Sequence, residues 1–216
     1  MEKPLADLLR PTSLDEVFGQ KHLLSKNSTF RKVIESKKVP NMIFYGSPGI
    51  GKTTVANIIA KNSNLKLYKL NGTTCSTEDI KKIIDDVSSL FNQEGILLYL
   101  DEIQYLNKKQ QQSLLEFVEN GDITLIASTT ENPYFYVYPA LRSRCNVFEF
   151  KPLSVDDIKE GLLSICKKLE VNIDDDALLV LSTSANGDMR KAITNLEFLL
   201  SSLDKDKHIT ETLVQL

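Results

Sequence analysis

Short apolar runs alternate with amphipathic stretches along residues 40–150 of the chain. Runs of this length, rich in β-branched and aliphatic residues, are typical of buried strands. The predicted strands are "NMIFYG" (41–46), "LKLYKL" (65–70), "GILLYLDE" (95–102), "DITLIAST" (122–129) and "NVFEF" (146–150). Strand–helix alternation requires crossover connections, so the pattern predicts an α/β fold with a parallel five-stranded sheet sandwiched by helices.

The stretches between these strands show helical spacing. Helices are predicted at 52–63, 76–91 and 108–120, and Gly121 is a typical stop for the last of them. The apolar positions of the second helix are Ile80, Ile83, Ile84, Val87 and Leu90. Ser76 followed by Asp79 resembles a helix-starting cap.

The pattern changes at Lys151-Pro152, after which we expect helices at about 154–170, 174–186 and 188–203 and no strand. Ser154 with Asp157 is a second predicted cap, and the acids of "DDDA" lie at the positive end of the next helix. The segment 209–216 resembles a helix that is cut short. We therefore predict an α/β domain over 1–151, a small all-α domain over 152–216, and a chain that is a fragment of a longer protein.

Composition narrows the class of protein. The chain has 216 residues, a net charge of −3 and no apolar run near the roughly 20 residues of a membrane span. Its N-terminus carries acids and lacks the apolar stretch of a signal peptide. Three distant cysteines favour a reducing cytoplasm and no metal site. Because proteins that bind DNA mainly through phosphates are usually basic, any DNA contact is expected to be local or to come from another segment.

The segment "GSPGIGKTT" (46–54) fits the phosphate-binding pattern G-x-x-x-x-G-K-[ST] and lies between a predicted strand and a predicted helix. Its glycines let backbone N–H groups point at phosphate oxygens, and the following helix offers its positive N-terminus to the same anion. Lys52 is expected to reach the β- and γ-phosphates of ATP, and the Thr53 hydroxyl to bind Mg²⁺. The alternative is a glycine-rich turn with an incidental lysine.

A second motif ends the predicted strand "GILLYLDE". Asp101 and Glu102 would lie at the carboxyl edge of the sheet, where open α/β folds bind ligands. Asp101 is a candidate Mg²⁺ ligand, and Glu102 is a candidate general base that polarises an attacking water. The alternative is a pair of solvated acids that simply end a strand.

Four segments occur in order and carry a family resemblance over about residues 4–205: "LRPTSLDEVFGQKHLL", "LDEIQYLNKKQQQSLLEFVENG", "LIASTTENPYFYVYPALRSRCNVFEF" and "NGDMRKAITNLE". Together they resemble the AAA+ ATPases of the clamp-loader clade, and in particular the replication-associated recombination protein A family. "TTENP" followed by "PALRSRC" is the most specific part. The resemblance implies an AAA+ core with a helical lid, from a protein that continues into a C-terminal oligomerisation domain.

The resemblance also assigns residues to nucleotide binding. The implied phosphate-binding loop consists of Gly46, Ser47, Pro48, Gly49, Ile50, Gly51, Lys52, Thr53 and Thr54. The implied adenine-wrapping stretch contains Arg10, Pro11, Val17, Phe18, Gly19 and Gln20. From its residues alone, the second stretch fits ordinary packing equally well.

Further roles follow from matching positions. Thr129 matches a polar sensor beside the γ-phosphate, with Thr130 as the neighbouring candidate, and Asn71 is a candidate for restraining Glu102. Arg144 matches the arginine finger that reaches the ATP of a neighbouring subunit, although Arg142 competes for that role. Arg190, on the lid, matches the family's second sensor. For Arg142 and Arg144 the alternative is a surface ion pair.

The resemblance implies a cytoplasmic, nucleoid-associated ATP hydrolase that uses ATP and Mg²⁺. It would act on DNA at single-strand/duplex junctions or ends during replication, recombination and repair. The implied partners are DNA, single-stranded DNA-binding protein and further copies of the same chain, with no membrane. Alternatives are a clamp-loader subunit, a branch-migration motor, a non-hydrolysing nucleotide-dependent scaffold and a small-molecule phosphotransferase. The aromatic run 134–138 favours a subunit interface or the core over stacking on DNA bases.

Overall fold

A computed structural model describes residues 4–89, 95–202 and 208–214. The strands are β1 (Met42–Tyr45), β2 (Lys66–Asn71), β3 (Ile96–Asp101), β4 (Ile123–Thr129), β5 (Asn146–Glu149), β6 (Asn172–Ile173) and β7 (His208–Ile209). The helices are α1 (Leu5–Leu8), α2 (Lys21–Leu24), α3 (Thr29–Glu35), α4 (Lys52–Asn62), α5 (Thr77–Ser89), α6 (Lys108–Asn120), α7 (Pro133–Tyr136), α8 (Pro139–Ser143), α9 (Val155–Leu169), α10 (Asp175–Ser184), α11 (Met189–Ser201) and α12 (Glu211–Val214).

Two compact units divide the described residues. The sheet unit takes in His22–Gly46 and Lys52–Phe150. The helical unit takes in the described residues of Met1–Lys21, Ser47–Gly51 and Lys151–Leu216. The phosphate-binding loop is therefore shared, since its tip groups with the helical unit and its two ends group with the sheet unit.

The sheet unit is built on five parallel strands in the order β2-β3-β4-β1-β5. Leu100 on β3 is in register with Ala127 on β4, and Asn71 on β2 with Asp101 on β3. Tyr45 on β1 aligns with Thr129 on β4. This register places the ends of β1, β3 and β4 at one edge of the sheet, which is where the candidate chemistry lies.

The strands of this sheet differ in burial in the way that their sequences predict. Every residue of "ILLYL" in β3 is buried, as are most residues of β4, because helices cover both faces of a parallel sheet. The edge strand β2 alternates between exposed and half-buried residues. An aromatic cluster closes one side, with Phe30 packed edge-on to Phe148 at 4.7 Å between ring centroids.

The helical unit has its own apolar core, formed mainly by α9, α10 and α11, with Leu162 and Leu196 fully buried. Ser154 starts α9 by a capping box, in which its hydroxyl accepts from the Asp157 N–H and the Asp157 carboxylate accepts from the Ser154 N–H. Asp174 precedes α10 and pairs with His208 at 2.8 Å. Within the described ranges, no helix combines the length and apolar character needed to cross a membrane.

The predicted fold class is confirmed, and each predicted strand overlaps an observed one. The capping hydrogen bonds between Ser76 and Asp79 are also present. The last two residues of the predicted helix 76–91 lie outside the described residues, as does the end of the predicted helix 188–203. The residue boundary between the two predicted domains stays a prediction.

One expectation was wrong, because strands do occur after residue 151. Asn172–Ile173 (β6) pairs in parallel with His208–Ile209 (β7). Two-residue strands are too short to show a hydrophobic period, so the sequence pattern could not reveal them. The predicted helix 209–216 begins later, since α12 covers Glu211–Val214, and residues 215–216 lie outside the described residues.

Candidate nucleotide-binding site

The carboxyl end of β3 carries a buried hydrogen-bond cluster around Asp101. The Tyr99 hydroxyl lies 2.9 Å from the Thr53 hydroxyl, 2.9 Å from the Ser128 hydroxyl and 3.3 Å from Asp101 Oδ1. Ser128 also donates to Asp101 Oδ1. The two predicted Mg²⁺ ligands, Thr53 and Asp101, are thus held in one network within the sheet unit.

The ends of the phosphate-binding loop lie in the sheet unit. Gly46 follows β1, and its N–H donates to the Thr129 carbonyl at 3.2 Å. Lys52 is buried at the start of α4, and its ammonium donates to the Gly46 carbonyl at 2.6 Å. The ammonium therefore lies at the first glycine of the loop motif, and a lysine of this pattern is expected to serve a bound anion.

The tip of the same loop belongs to the helical unit. Gly49 has φ = 67°, and a Cβ atom there would fall 1.6 Å from an Asp188 carboxylate oxygen. The Gly49 carbonyl accepts a hydrogen bond from the Met189 N–H at 3.1 Å. Gly49 is therefore required by close approach to the start of α11 as well as by its backbone conformation.

Glu102, the predicted general base, has a left-handed backbone with φ = 55° and ψ = 51°. Such a conformation is uncommon for a residue with a side chain and often marks a functional site. Its carboxylate accepts from the Gln104 side-chain amide, which also donates to the Thr130 hydroxyl at 3.4 Å. A Cβ atom on Gly72 would lie 2.3 Å from the Glu102 carbonyl, so the β2 end passes directly against the Glu102 backbone.

The structure shows the hydrogen-bond partners of the residues with two further predicted roles, which stay predictions. Asn71 lies in the same unit as Glu102, but its side-chain oxygen accepts from the N–H and hydroxyl of Thr73. Gln104, which the sequence analysis did not single out, is the side chain that holds Glu102. Thr129 is fully buried and its hydroxyl accepts from the Glu131 N–H at 3.0 Å, whereas Thr130 is half-buried beside Gln104.

The two candidate arginines differ in their surroundings. Arg142 donates to the Tyr134 carbonyl at 3.0 Å and lies over the Tyr134 ring at 4.5 Å. Arg144 ends α8, its side chain is 57% exposed, and it pairs with Glu119 at 2.8 Å. Exposed ion pairs of this kind contribute little to stability, so Arg144 can leave Glu119 at small cost.

The aromatic run near these arginines lies largely on the surface. Phe135 is 83% exposed, Tyr134 61% and Tyr136 51%, while Val137 is buried. Of the two expected packing sites, an interface or the core, the core is therefore excluded for Tyr134, Phe135 and Tyr136 of α7. Interface packing and base stacking both stay open for them.

The adenine-wrapping stretch lies in the helical unit with the loop tip. Gln20 is buried, donates to the Ile50 and Lys151 carbonyls, and accepts from the Lys151 N–H. Val17 lies 3.7 Å from where a Gly51 Cβ would stand, and Phe18 packs near Gly161 of α9. Gln20 is thus fully used in holding backbone, and the base-pocket role of this stretch stays a prediction.

The remaining predicted residues have simpler surroundings. Arg10 pairs with Asp7 at 2.6 Å, and Gly19 adopts φ = 68° beside Leu153. Arg190 lies at the start of α11 with an exposed side chain, so its sensor role stays a prediction. The other predicted nucleotide-binding residues have no individual role assigned to their side chains: Pro11, Ser47, Pro48 and Thr54. Ser47 and Pro48 are exposed.

The residues fit a Mg²⁺–nucleotide ligand. A hydroxyl and a carboxylate, the oxygen ligands that Mg²⁺ prefers, are held in one network. Gly46, Gly49 and Gly51 all have positive φ, at 141°, 67° and 105°, which lets the loop curl its N–H groups toward an anion. The buried oxygen Oε1 of Gln104 has no hydrogen-bond partner among the described residues, as expected beside a bound polar group.

Sequence reasoning missed Tyr99, Ser128 and Gln104. The available signals were weak: a tyrosine interrupts the aliphatic run "ILLYLD", and a glutamine follows Glu102 by two positions. A polar atom at the tip of a buried tyrosine usually finds a partner, so Tyr99 could have been flagged but not connected to Thr53.

Residues 42–153 match the family described as "ATPase family associated with various cellular activities (AAA)". With the parallel sheet, the phosphate-binding loop and the paired acids in place, the chain belongs to the AAA ATPase family. The family membership is consistent with the nucleotide site described above.

Two individual relatives are similar to this chain over nearly its whole length. The chain is 36% identical over 219 residues to the replication-associated recombination protein A of Bacillus subtilis and 37% identical over 219 residues to ATPase WRNIP1 of Dictyostelium discoideum. Each match covers 96% of this chain, but only 51% and 24% of the respective relatives. The chain thus spans about half or less of these curated relatives.

A solved structure shares the fold. The Thermotoga maritima RuvB Holliday junction branch migration motor superposes with a TM-score of 0.80 at 27% sequence identity. That match covers 95% of this chain and 70% of the motor chain.

Proposed function

We propose that this chain is the ATP-hydrolysing part of an oligomeric protein that acts on DNA during replication-associated recombination and repair. The observation that carries the proposal is the single hydrogen-bond network that joins Thr53 to Asp101 through Tyr99 and Ser128. Glu102 follows Asp101 directly, and the Lys52 ammonium lies on the Gly46 carbonyl. Membership of the AAA ATPase family supports the reaction type.

Each side chain has a defined task in this proposal. Thr53 and Asp101 would hold the Mg²⁺, which would supply positive charge against the negative charge of the phosphates. Lys52 offers its ammonium to the β- and γ-phosphates in place of the Gly46 carbonyl. Glu102 accepts a proton from the attacking water, while Gln104 keeps its carboxylate oriented.

Thr130, rather than Thr129, is proposed as the polar sensor of this site. Its hydroxyl is half-buried and lies on the Gln104–Glu102 side, whereas the Thr129 hydroxyl is committed to the Glu131 backbone. The sensor role of Arg190 is kept as proposed from the resemblance.

Arg144 is proposed to act on the ATP of a neighbouring copy. Its guanidinium is more than half exposed and held by one surface carboxylate, while Arg142 is fixed to backbone and ring atoms of its own unit. An arginine supplied in trans stabilises transition-state charge and makes hydrolysis depend on assembly. A homo-oligomer is therefore part of the proposal.

The DNA role is supported by the relatives, of which one is a replication-associated recombination protein and another a Holliday junction branch migration motor. DNA with single-strand/duplex junctions or ends is the proposed stimulating ligand, with single-stranded DNA-binding protein as a further partner. A cytoplasmic, nucleoid-associated location belongs to the same proposal. The net charge of −3 makes a local DNA contact more plausible than a broad basic surface.

The test is ATP turnover by the full-length protein, measured as phosphate release with no DNA, with blunt duplex and with gapped duplex. We expect stimulation by gapped duplex. Glu102→Gln should lower turnover by roughly 10²- to 10⁴-fold, because it removes the general base. ATP binding, measured by equilibrium dialysis, should be retained.

Two outcomes would contradict the proposal in different ways. Wild-type turnover equal to that of Glu102→Gln would favour a nucleotide-dependent scaffold that does not hydrolyse ATP. An ATP turnover rate that is the same with every DNA as without DNA would support the ATPase activity and reject the DNA role. Glu116→Gln, the same substitution at an exposed position of α6, is the control for the lost negative charge.

A further inference from the structure

Tyr99 places a hydroxyl group at the centre of the buried network in the sheet unit. Its side chain is 2% exposed, and its ring lies within a strand whose other core residues are aliphatic. Its oxygen lies within hydrogen-bond distance of Thr53, Ser128 and Asp101. A phenylalanine would fill the same volume, so the hydroxyl is the feature that packing does not explain.

The direction of each hydrogen bond in this network follows from the Asp101 carboxylate, at which the network ends. Asp101, as a carboxylate, can only accept, so Ser128 donates its single proton to Asp101 Oδ1. The Ser128 oxygen then accepts from Tyr99, whose proton is directed there at 2.9 Å rather than to Asp101 at 3.3 Å. With its own proton used, the Tyr99 oxygen can only accept from Thr53.

The Thr53 proton is consequently drawn toward Tyr99 at 2.9 Å, away from the loop. Both lone pairs of the Thr53 oxygen are then left for other partners, of which a cation is the natural one.

We propose that Tyr99, with Ser128, is a positioning residue for Mg²⁺: the ordered chain Thr53→Tyr99→Ser128→Asp101 turns the Thr53 oxygen and the Asp101 carboxylate toward one cation. This inference rests on the proposed function, since it assigns how the same site binds its metal. It also explains why an aliphatic strand carries one tyrosine at the position that faces α4.

The test is ADP affinity, measured by calorimetry on the 216-residue chain in EDTA and at increasing MgCl₂. Tyr99→Phe should leave the affinity in EDTA unchanged. The MgCl₂ concentration that gives half of the metal-dependent gain should rise roughly 5- to 10-fold, because outer hydrogen-bond partners tune metal affinity. Ser128→Ala should shift it in the same direction by less, since Tyr99 retains Asp101 as an acceptor.

Tyr68→Phe is the matched control. Tyr68 lies on the neighbouring strand β2, half-buried, with its ring near the Lys66 ammonium at 5.1 Å. This variant should show the wild-type Mg²⁺ dependence. The same dependence in Tyr99→Phe would overturn the inference. If Tyr99→Phe does not fold, an unchanged Mg²⁺ dependence in Ser128→Ala would overturn it instead.

The outcomes separate this inference from the proposed function. A wild-type chain that binds no ADP, with or without MgCl₂, overturns the proposed function itself and this inference with it. A wild-type chain that binds ADP more tightly with MgCl₂, with both variants unaffected, leaves the nucleotide site standing and rejects only the positioning role.

Discussion

Asp101 and Arg144, at the ends of β3 and α8, are the most different parts of the candidate site. Asp101 is half-buried and accepts hydrogen bonds from Ser128 and Tyr99, which are both buried. Arg144 is more than half exposed and has a single surface partner, Glu119. Groups that act within one subunit can be fixed during folding, whereas a group that serves a neighbour has to stay accessible until the neighbour arrives.

The most severe test of this comparison is Arg144→Ala in the assembled full-length protein. We expect turnover to fall by about 10³-fold or more, because an arginine finger supplies that much rate enhancement. ATP binding should persist. Arg142→Ala is the control, and it should lose less turnover because Arg142 is held within its own unit.

Mixing the two inactive variants tests the same point directly. Arg144→Ala subunits retain Glu102, and Glu102→Gln subunits retain Arg144, so mixed interfaces regain one complete site. Part of the turnover should return when the purified variants are combined. No recovery, in a mixture shown by native mass spectrometry to have exchanged subunits, would show that Arg144 acts in its own chain.

Cys145 sharpens the comparison because it directly follows the exposed Arg144. Burial raises the pKa of the Cys145 thiol to about 12, so little reactive thiolate exists near neutral pH. Alkylation by iodoacetamide at pH 8 should be slower than for an exposed thiol by on the order of 100-fold. Peptide mass spectrometry of native and guanidinium-treated protein measures this; fast native labelling would mean that the α8 end opens readily.

Gly72 tests the rigidity of the other region. A Cβ atom there would lie 2.3 Å from the Glu102 carbonyl, so Gly72→Ala should destabilise the fold by about 2 kcal/mol through overpacking. It should also lower turnover by displacing Glu102. Chemical denaturation and phosphate release measure the two effects.

Gly121→Ala is the matched control for Gly72. Gly121 ends α6 with φ = 76°, and a Cβ there would meet nothing within 4 Å. Backbone strain alone should cost about 1 kcal/mol, with turnover unchanged. A Gly72→Ala protein as stable as Gly121→Ala and equally active would show that the β2 end yields easily.

The sequence was sufficient to predict features that a single continuous segment determines. Five apolar runs predicted the sheet, and "GSPGIGKT" with "LDE" predicted the loop and the acids, because spacing along one segment determines them. It was insufficient where the partner comes from another strand. The roles of Ser128 and Tyr99 depend on the register of β3 with β4, which no local pattern specifies.

The sequence could not decide between Thr129 and Thr130 for a related reason, and the sensor role stays a prediction. Consecutive residues at a strand end point to opposite sides of the sheet, so adjacent threonines have different surroundings. Only the structure shows that Thr129 is bound to the Glu131 backbone and that Thr130 lies beside Gln104. The role of Asn71 also stays a prediction, and its bond to Thr73 closes a local turn that no spacing in the sequence revealed.

The hydrogen bond from the Met189 N–H to the Gly49 carbonyl has a thermodynamic consequence. A ligand that shifts the backbone at Gly49 must also change the free energy of this bond, and so bias the start of α11. By reciprocity, a force applied to α11, for example by a bound polymer or an adjoining domain, must change ligand affinity at the loop by the same coupling free energy. Through this single backbone contact, ligand binding at the loop would affect the start of α11, and a change in α11 would affect ligand binding at the loop.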